Sequence, residues 1–352
     1  MAEPLPQSWP LPADPRPIVI IGAGSIVRDA PLPVYRRLGF PVAGIYDVNE
    51  AAAQALASQF GVPRVFSSLE EAAAEADVVF DLAVPPQAIH GIVSQLPRGA
   101  GVLIQKPLGV DLEDAKHIVR ACRERQLVAA SNFQLRFSPD TLALKAAIER
   151  GDLGRVLDVE VRVVVHTPWE YWAFLKSAPR LEVLMHSIHY VDLVRHLIGD
   201  PVGVYCKGLP NPLTPDFADT RTTMILEYEG VRCSILANHS HRFGPEYQQS
   251  QIKVEGTKGA MVATMGVNLD YPNGKPDELL FAPEGGPWES IPLRGSWFLE
   301  AFEGPMSNLQ RVLSGEDSAL VSPVSDALRT MTVVEACYAS STAGGLPLPT
   351  EE

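Results

Sequence analysis

Ile18-Val19-Ile20-Ile21-Gly22-Ala23-Gly24-Ser25-Ile26-Val27 joins four β-favouring apolar residues to a glycine turn and then to a segment able to start a helix. The tight turn after a buried strand falls to Gly22, which carries no Cβ. Gly24 lets backbone N–H groups approach a pyrophosphate, and Ser25 and Ile26 follow it at the helix start as cofactor-binding candidates. The third position of this dinucleotide fingerprint is Val27, which implies a slightly wider helix–strand fit. A Gly-x-Gly is a weak signal by itself, so the flanking pattern decides its meaning.

That pattern is regular. Residues 18–21, 42–46, 78–82, 102–104 and 127–130 read as strands, and amphipathic stretches at 50–60, 69–76 and 112–125 read as intervening helices. Such alternation predicts a parallel sheet with right-handed crossovers. Asp47 ends the second strand, 25 residues after Gly22. A carboxylate there accepts both ribose hydroxyls of an adenosine half and repels a 2′-phosphate, which favours NAD over NADP. The strand end Asp81-Leu82-Ala83-Val84-Pro85-Pro86 stays extended beneath the cofactor and brings Val84 and Pro85 to it. Val102-Leu103-Ile104 reads as the fifth strand, closed by Gln105-Lys106-Pro107. A lysine at the carboxyl end of such a strand points into the crevice where open α/β sheets bind ligands.

Beyond about Ser131 the texture changes. Residues 139–150 read as a helix ended by Gly151, residues 156–165 as a long strand, and residues 181–198 as a helix stopped by Gly199 and Pro201. Further strands are expected at 222–228, 231–237 and 251–255, with closing helices near 298–313 and 325–340. The chain is therefore expected to be α/β. It has an N-terminal Rossmann domain at 18–131 and a C-terminal α+β domain at 132–352, the latter with a mostly antiparallel sheet. Residues 1–17 carry six prolines and no apolar core; they read as an extended arm, disordered or packed on a neighbouring subunit.

The chain has 46% apolar and 20% charged residues and a net charge of −13, which argues against nucleic-acid or anionic-membrane partners. No apolar stretch reaches bilayer length. The four cysteines are widely spaced and form no metal-type pair, which suits a reducing, cytoplasmic setting.

These residues, together with Asn132-Phe133-Gln134-Leu135-Arg136-Phe137-Ser138-Pro139 and His189-Tyr190-Val191-Asp192, resemble the glucose-fructose oxidoreductase and inositol dehydrogenase (Gfo/Idh/MocA) family over residues 18 to about 345. The resemblance implies a C-terminal domain built on a large open sheet, through which members assemble as homodimers or homotetramers. It also implies NAD(P)-dependent oxidation or reduction of a sugar, polyol or sugar acid. The family's Glu-Lys-Pro becomes Gln105-Lys106-Pro107, so Lys106 takes the substrate-contacting place and the glutamate's charge is lost. Of the family's Asp and His four residues apart, His189 matches the histidine and Met185 stands in place of the aspartate.

The helix offers substitutes: Glu182, His186 and His189 can share one face, with Glu182 orienting His186. The catalytic candidates are Lys106, His189 and His186. Substrate contacts are expected from these three and from Arg136, Trp169 and Glu182, and cofactor contacts from Gln105, Asn132 and Trp172. His186 with His189, the pair His239 and His241, and His166 would hold a metal only by converging, and no metal is assigned. Two other readings compete with a dehydrogenase: a non-catalytic dinucleotide-binding regulator, and a glycosidase or isomerase that reduces and reoxidises its NAD.

Overall fold

The computed structural model describes residues 4–169, 175–270, 274–346 and 348. The chain forms two compact units, Met1–Arg150 with Pro292–Met331, and Gly151–Ile291 with Thr332–Glu352. Ser131, where the sequence texture changes, lies inside the first of these units.

In the first unit the alternation runs β1 (Ile18–Ile21), α1 (Ser25–Asp29), α2 (Pro31–Leu38), β2 (Val42–Tyr46), α3 (Glu50–Phe60), α4 (Leu69–Ala73), β3 (Val79–Leu82), α5 (Ile89–Val93), β4 (Gly101–Gln105), α6 (Leu112–Glu124), β5 (Val128–Asn132) and α7 (Pro139–Arg150). Side-chain caps start several helices: Asn49 accepts from Ala52 N, Ser68 from Glu71 N, and Asp111 from Asp114 N. The five strands form one parallel sheet in the order β2-β1-β3-β4-β5. Ile21 pairs with Tyr46 and Leu82, Leu82 with Ile104, and Gln105 with Asn132. The register therefore brings Gly22, Asp47, Ala83, Lys106 and Asn132 to one edge of the sheet. Ile18, Ile20, Val79 and Leu103 pack with Tyr35, Ile45, Phe302, Met306 and Leu309 in the core below, each large side chain contributing roughly 1.5–3 kcal/mol by burial.

Two expectations are corrected here. The strand bearing Lys106 is the fourth in chain order, because the segment after α3 contributes only the isolated bridge Ile45↔Val65. The N-terminal arm packs on its own chain. Gln7 bonds Pro292 O and Arg294 N, Trp9 Nε1 donates to Asp317 Oδ2 at 3.0 Å, and Arg16 N donates to Gln310 Oε1 at 2.6 Å.

The second unit holds β6 (Val156–Val164), α8 (Ile188–Ile198), β7 (Gly203–Leu209), β8 (Arg221–Tyr228), β9 (Val231–Asn238), β10 (Gln249–Gly256), β11 (Gly259–Thr264), β12 (Glu278–Pro283) and β13 (Glu289–Ser290). They form an eight-stranded sheet, β13-β12-β11-β10-β6-β9-β8-β7, antiparallel except between β6 and β9. Alternation is plain in β8, where Thr222, Met224 and Leu226 are buried while Thr223 and Ile225 are exposed. Then α9 (Glu303–Ser314) returns to the first unit, and the division between units falls within α10 (Val324–Ala343). No helix among the described residues is long and apolar enough to cross a membrane.

Candidate active site

Gly22 takes φ 110°, and a Cβ there would fall 2.1 Å from the Ala83 carbonyl oxygen. Only glycine fits this approach of the β1 turn to the end of β3. The turn is clamped from the other side by Asp47, whose Oδ2 accepts from Ala23 N at 2.6 Å and whose Oδ1 accepts from Asn49 N at 2.7 Å. Each carboxylate oxygen keeps a further lone pair for a ribose hydroxyl. At Gly24 a Cβ would meet nothing within 4 Å. No side chain caps α1, and Ser25 and Ile26 are exposed at its start. Val27 is fully buried in the core, so the third fingerprint position is absorbed as packing. Val84 is half-buried and Pro85 exposed just after β3. Asn132 is 2% exposed at the end of β5, with its Oδ1 unsatisfied among the described residues. An open glycine turn, a ribose-competent carboxylate and an unsatisfied buried acceptor on one sheet edge fit a dinucleotide.

Lys106 follows β4 on a cis Lys106-Pro107 bond and is half-buried. Desolvation pushes its ammonium down to about 8. Below it, Tyr35 Oη donates to Asp81 Oδ2 at 2.7 Å in the dry core. Burial raises Asp81 to about 6, against the Tyr35 hydrogen bond and the nearby Gln105 amide, which favour its ionised form. Burial, and then the Asp81 charge, push the Tyr35 hydroxyl well above its ordinary value.

In the second unit the helix expected at 181–198 begins instead as a π turn, Glu182–Ser187, before α8. The wider turn carries one residue more than an α turn, so Glu182 accepts from Ser187 Oγ, five residues on, at 2.5 Å. Glu182 is fully buried and lies 3.4 Å from His239 Nε2. It is thus an inner group rather than the substrate contact expected of it, and its route toward His186 runs through His239. The His186 and His239 rings lie 4.6 Å apart at 37°. Trp169, 7% exposed, stands edge-on to His186 at 5.4 Å and packs on Phe217 at 4.6 Å. That contact makes it a wall of the histidine cluster. His186, His189 and Met185 are half-buried.

Other candidates lie elsewhere. Arg136 is 3% exposed, pairs with Asp326 and donates to Val321 O at 2.7 Å. Its guanidinium is spent inside the first unit, which corrects the expectation that it binds substrate. Arg180 pairs with Glu335 at 2.7 Å and covers the Tyr338 ring. His166 is exposed, and His241 bonds Gly244 O at 3.2 Å, apart from His239, because β9 ends at Asn238. No cluster of three metal-ligating side chains occurs among the described residues. Trp172 lies outside the described residues. Sequence reading missed Asp81 as a buried carboxylate and His239 as part of the cluster. The alternation Asn238-His239-Ser240-His241 is the only signal that pointed near the latter.

Residues 16–133 match the oxidoreductase family with an NAD-binding Rossmann fold, and residues 141–262 match the GFO/IDH/MocA C-terminal domain. The chain is 27% identical to an inositol 2-dehydrogenase of Rhizobium meliloti over 69% of this chain and 74% of that protein. It is 23% identical to a D-apiose dehydrogenase of Rhizobium rhizogenes over 87% of this chain and 89% of that one. An oxidoreductase structure from Agrobacterium radiobacter, in complex with NAD+, L-tartaric acid and magnesium, superposes with a TM-score of 0.80 at 20% identity, covering 94% of this chain and 97% of that one.

Proposed function

The chain belongs to the GFO/IDH/MocA family of NAD-binding oxidoreductases, and from that premise we propose that it oxidises or reduces a hydroxyl or carbonyl carbon of a sugar, polyol or sugar acid, with NAD supplying the hydride acceptor or donor. The observation that carries this reading is the shared carboxyl end of the sheet, where the Gly22 turn after β1 and the Asp47 carboxylate after β2 lie level with Gln105, the residue before Lys106. Gly22, Gly24, Ser25 and Ile26 hold the pyrophosphate. Asp47 holds the adenosine ribose and disfavours a 2′-phosphate. Val84, Pro85, Gln105 and Asn132 line the remaining length.

Lys106 places a positive charge against the reacting oxygen. A preorganised donor of this kind contributes about 2.7–4 kcal/mol to the transition state. His189 removes the hydroxyl proton during oxidation, and His186 assists it; both side chains are half-buried. The retained lysine and the histidine cluster favour an enzyme over a regulator.

The exposed outer face of the second sheet carries Tyr205 and Ile225, 63% and 49% exposed. We assign this face to a homodimer or homotetramer, readable by light scattering. Four free, buried cysteines fit a cytoplasmic setting.

The test is incubation with NAD and a panel of sugars, sugar acids and inositols, following NADH absorbance and product mass. Net NADH supports the dehydrogenase. Product without net NADH transfers the reading to a cycling glycosidase or isomerase. Full turnover in both Lys106→Ala and His189→Ala would refute the residue assignment.

A further inference from the structure

Resting on the reading just given, we infer that Glu182 and His239 form a positioning pair that holds His186 ready to carry a positive charge, in the role left open by Met185. The inner pair is built from three elements. Thr167 Oγ1 lies 3.1 Å from His239 Nδ1, and Glu182 Oε1 lies 3.4 Å from His239 Nε2. The backbone fixes the same contact, because Thr167 N donates to His239 O at 3.1 Å and His239 N donates to Thr220 O at 3.0 Å. A threonine hydroxyl donating to Nδ1 leaves the neutral ring protonated on Nε2, facing the carboxylate. Ser187 Oγ donates to the same Glu182 oxygen at 2.5 Å.

The His186 ring lies tilted at 37° to that ring, 4.6 Å between centroids. His186 thereby lies within the field of the buried Glu182 carboxylate, beside the packed Trp169 and Phe217 rings. That field favours the imidazolium, which is what a base needs after taking a substrate proton.

Asp219 accepts from Leu181 N at 3.1 Å and from Glu182 N at 3.3 Å. Burial first, and the Glu182 charge after it, raise Asp219 and the Tyr190 hydroxyl, and burial, then Asp219, and then Glu182 raise the Tyr338 hydroxyl. Cys337 is raised mainly by Cys206 and by burial, with Glu182 a lesser cause. None of these side chains is a cation, and the guanidinium of Arg180, two residues before Glu182, is paired with Glu335 at 2.7 Å.

The test is a histidine-ring NMR titration of the full chain without substrate, with His186→Gln and His239→Gln identifying the two signals. In Glu182→Gln the His186 midpoint falls by about one pH unit, since losing one nearby buried charge is worth on that order. In Thr167→Val the ¹⁵N shifts of His239 move from the Nε2–H toward the Nδ1–H tautomer. An unchanged His186 midpoint in folded Glu182→Gln overturns the inference. Should that variant not fold, an unchanged His239 tautomer in Thr167→Val overturns it equally. Because the readout needs no turnover, its failure leaves the hydride-transfer reading standing, and a failed substrate panel leaves the titration interpretable.

Discussion

Replacing Asp81 by asparagine should make the first unit more stable at neutral pH and no more stable in acid. Asp81 is fully buried, receives one hydrogen bond of 2.7 Å from Tyr35, and is raised from an ordinary 3.8 to about 6, chiefly by desolvation. A raised acid stabilises the fold where it is protonated. Between pH 3.8 and about 6 the folded chain keeps a proton that the unfolded chain has released. Stability therefore falls as pH rises through that window, and the whole penalty is present above it. At about 1.36 kcal/mol for each pH unit of that window, the penalty comes to roughly 3 kcal/mol. Asparagine keeps the acceptor for Tyr35 and removes the charge. Any misfit of its amide costs the same at both ends of the pH range, so the informative quantity is a difference of differences. Urea unfolding of the wild type and Asp81→Asn at about pH 4, where the unfolded carboxyl is already half ionised, and at about pH 8 should give a ΔΔG that shifts in favour of the variant by about 2–3 kcal/mol between the two. A ΔΔG independent of pH would refute the reasoning, because it would mean that the ionised carboxylate is fully compensated in the core.

Other outcomes follow from the same geometry. Lys106→Ala should lower kcat/KM by about 10²–10³-fold. The wild-type profile should fall above pH about 8 as the desolvated ammonium loses its proton, and Lys106→Arg should remove that limb. Gly22→Ala, with a Cβ 2.1 Å from Ala83 O at φ 110°, should abolish NAD binding in a fluorescence titration while the second unit stays folded. Arg136→Leu removes the buried partner of Asp326 and leaves it the exposed Arg329. It should cost about 1.5–3 kcal/mol in denaturant unfolding, the range for a lost hydrogen bond to a charged group, yet leave the KM of the folded fraction unchanged, whereas a substrate-binding arginine would raise KM.

How far the sequence could be read depended on whether the controlling physics is local. The β1–Gly22 turn, Asp47 at the end of β2, and α7 with its stop at Gly151 are set by short-range propensity and by backbone room, and each stands where expected. The π turn is different, because one extra residue in a helical turn leaves the apolar periodicity almost intact. It nevertheless redirected Glu182 from His186 to Ser187 and His239. His239 and His241 looked equivalent by alternation until β9 ended at Asn238 and sent them apart. Asp81 and Arg136 carry charges that sequence reading assigns to surfaces or ligands; only tertiary partners, Tyr35 for one and Asp326 for the other, reveal them as interior groups. The proline-rich arm looked unable to form a core, yet its polar atoms find partners on residues 292–317.

The central claim is hydride transfer at a carbinol carbon, and isotope transfer tests it most directly. The protein is incubated with NAD and a set of polyols, inositols and sugars deuterated at their carbinol carbons, and the nicotinamide is read by mass spectrometry. The account predicts reduced cofactor one mass unit heavier with at least one substrate class, and loss of that label in Lys106→Ala. Saturable NAD binding with no deuterium reaching the cofactor from any member of the set would contradict it and favour a regulator that holds the dinucleotide without using it.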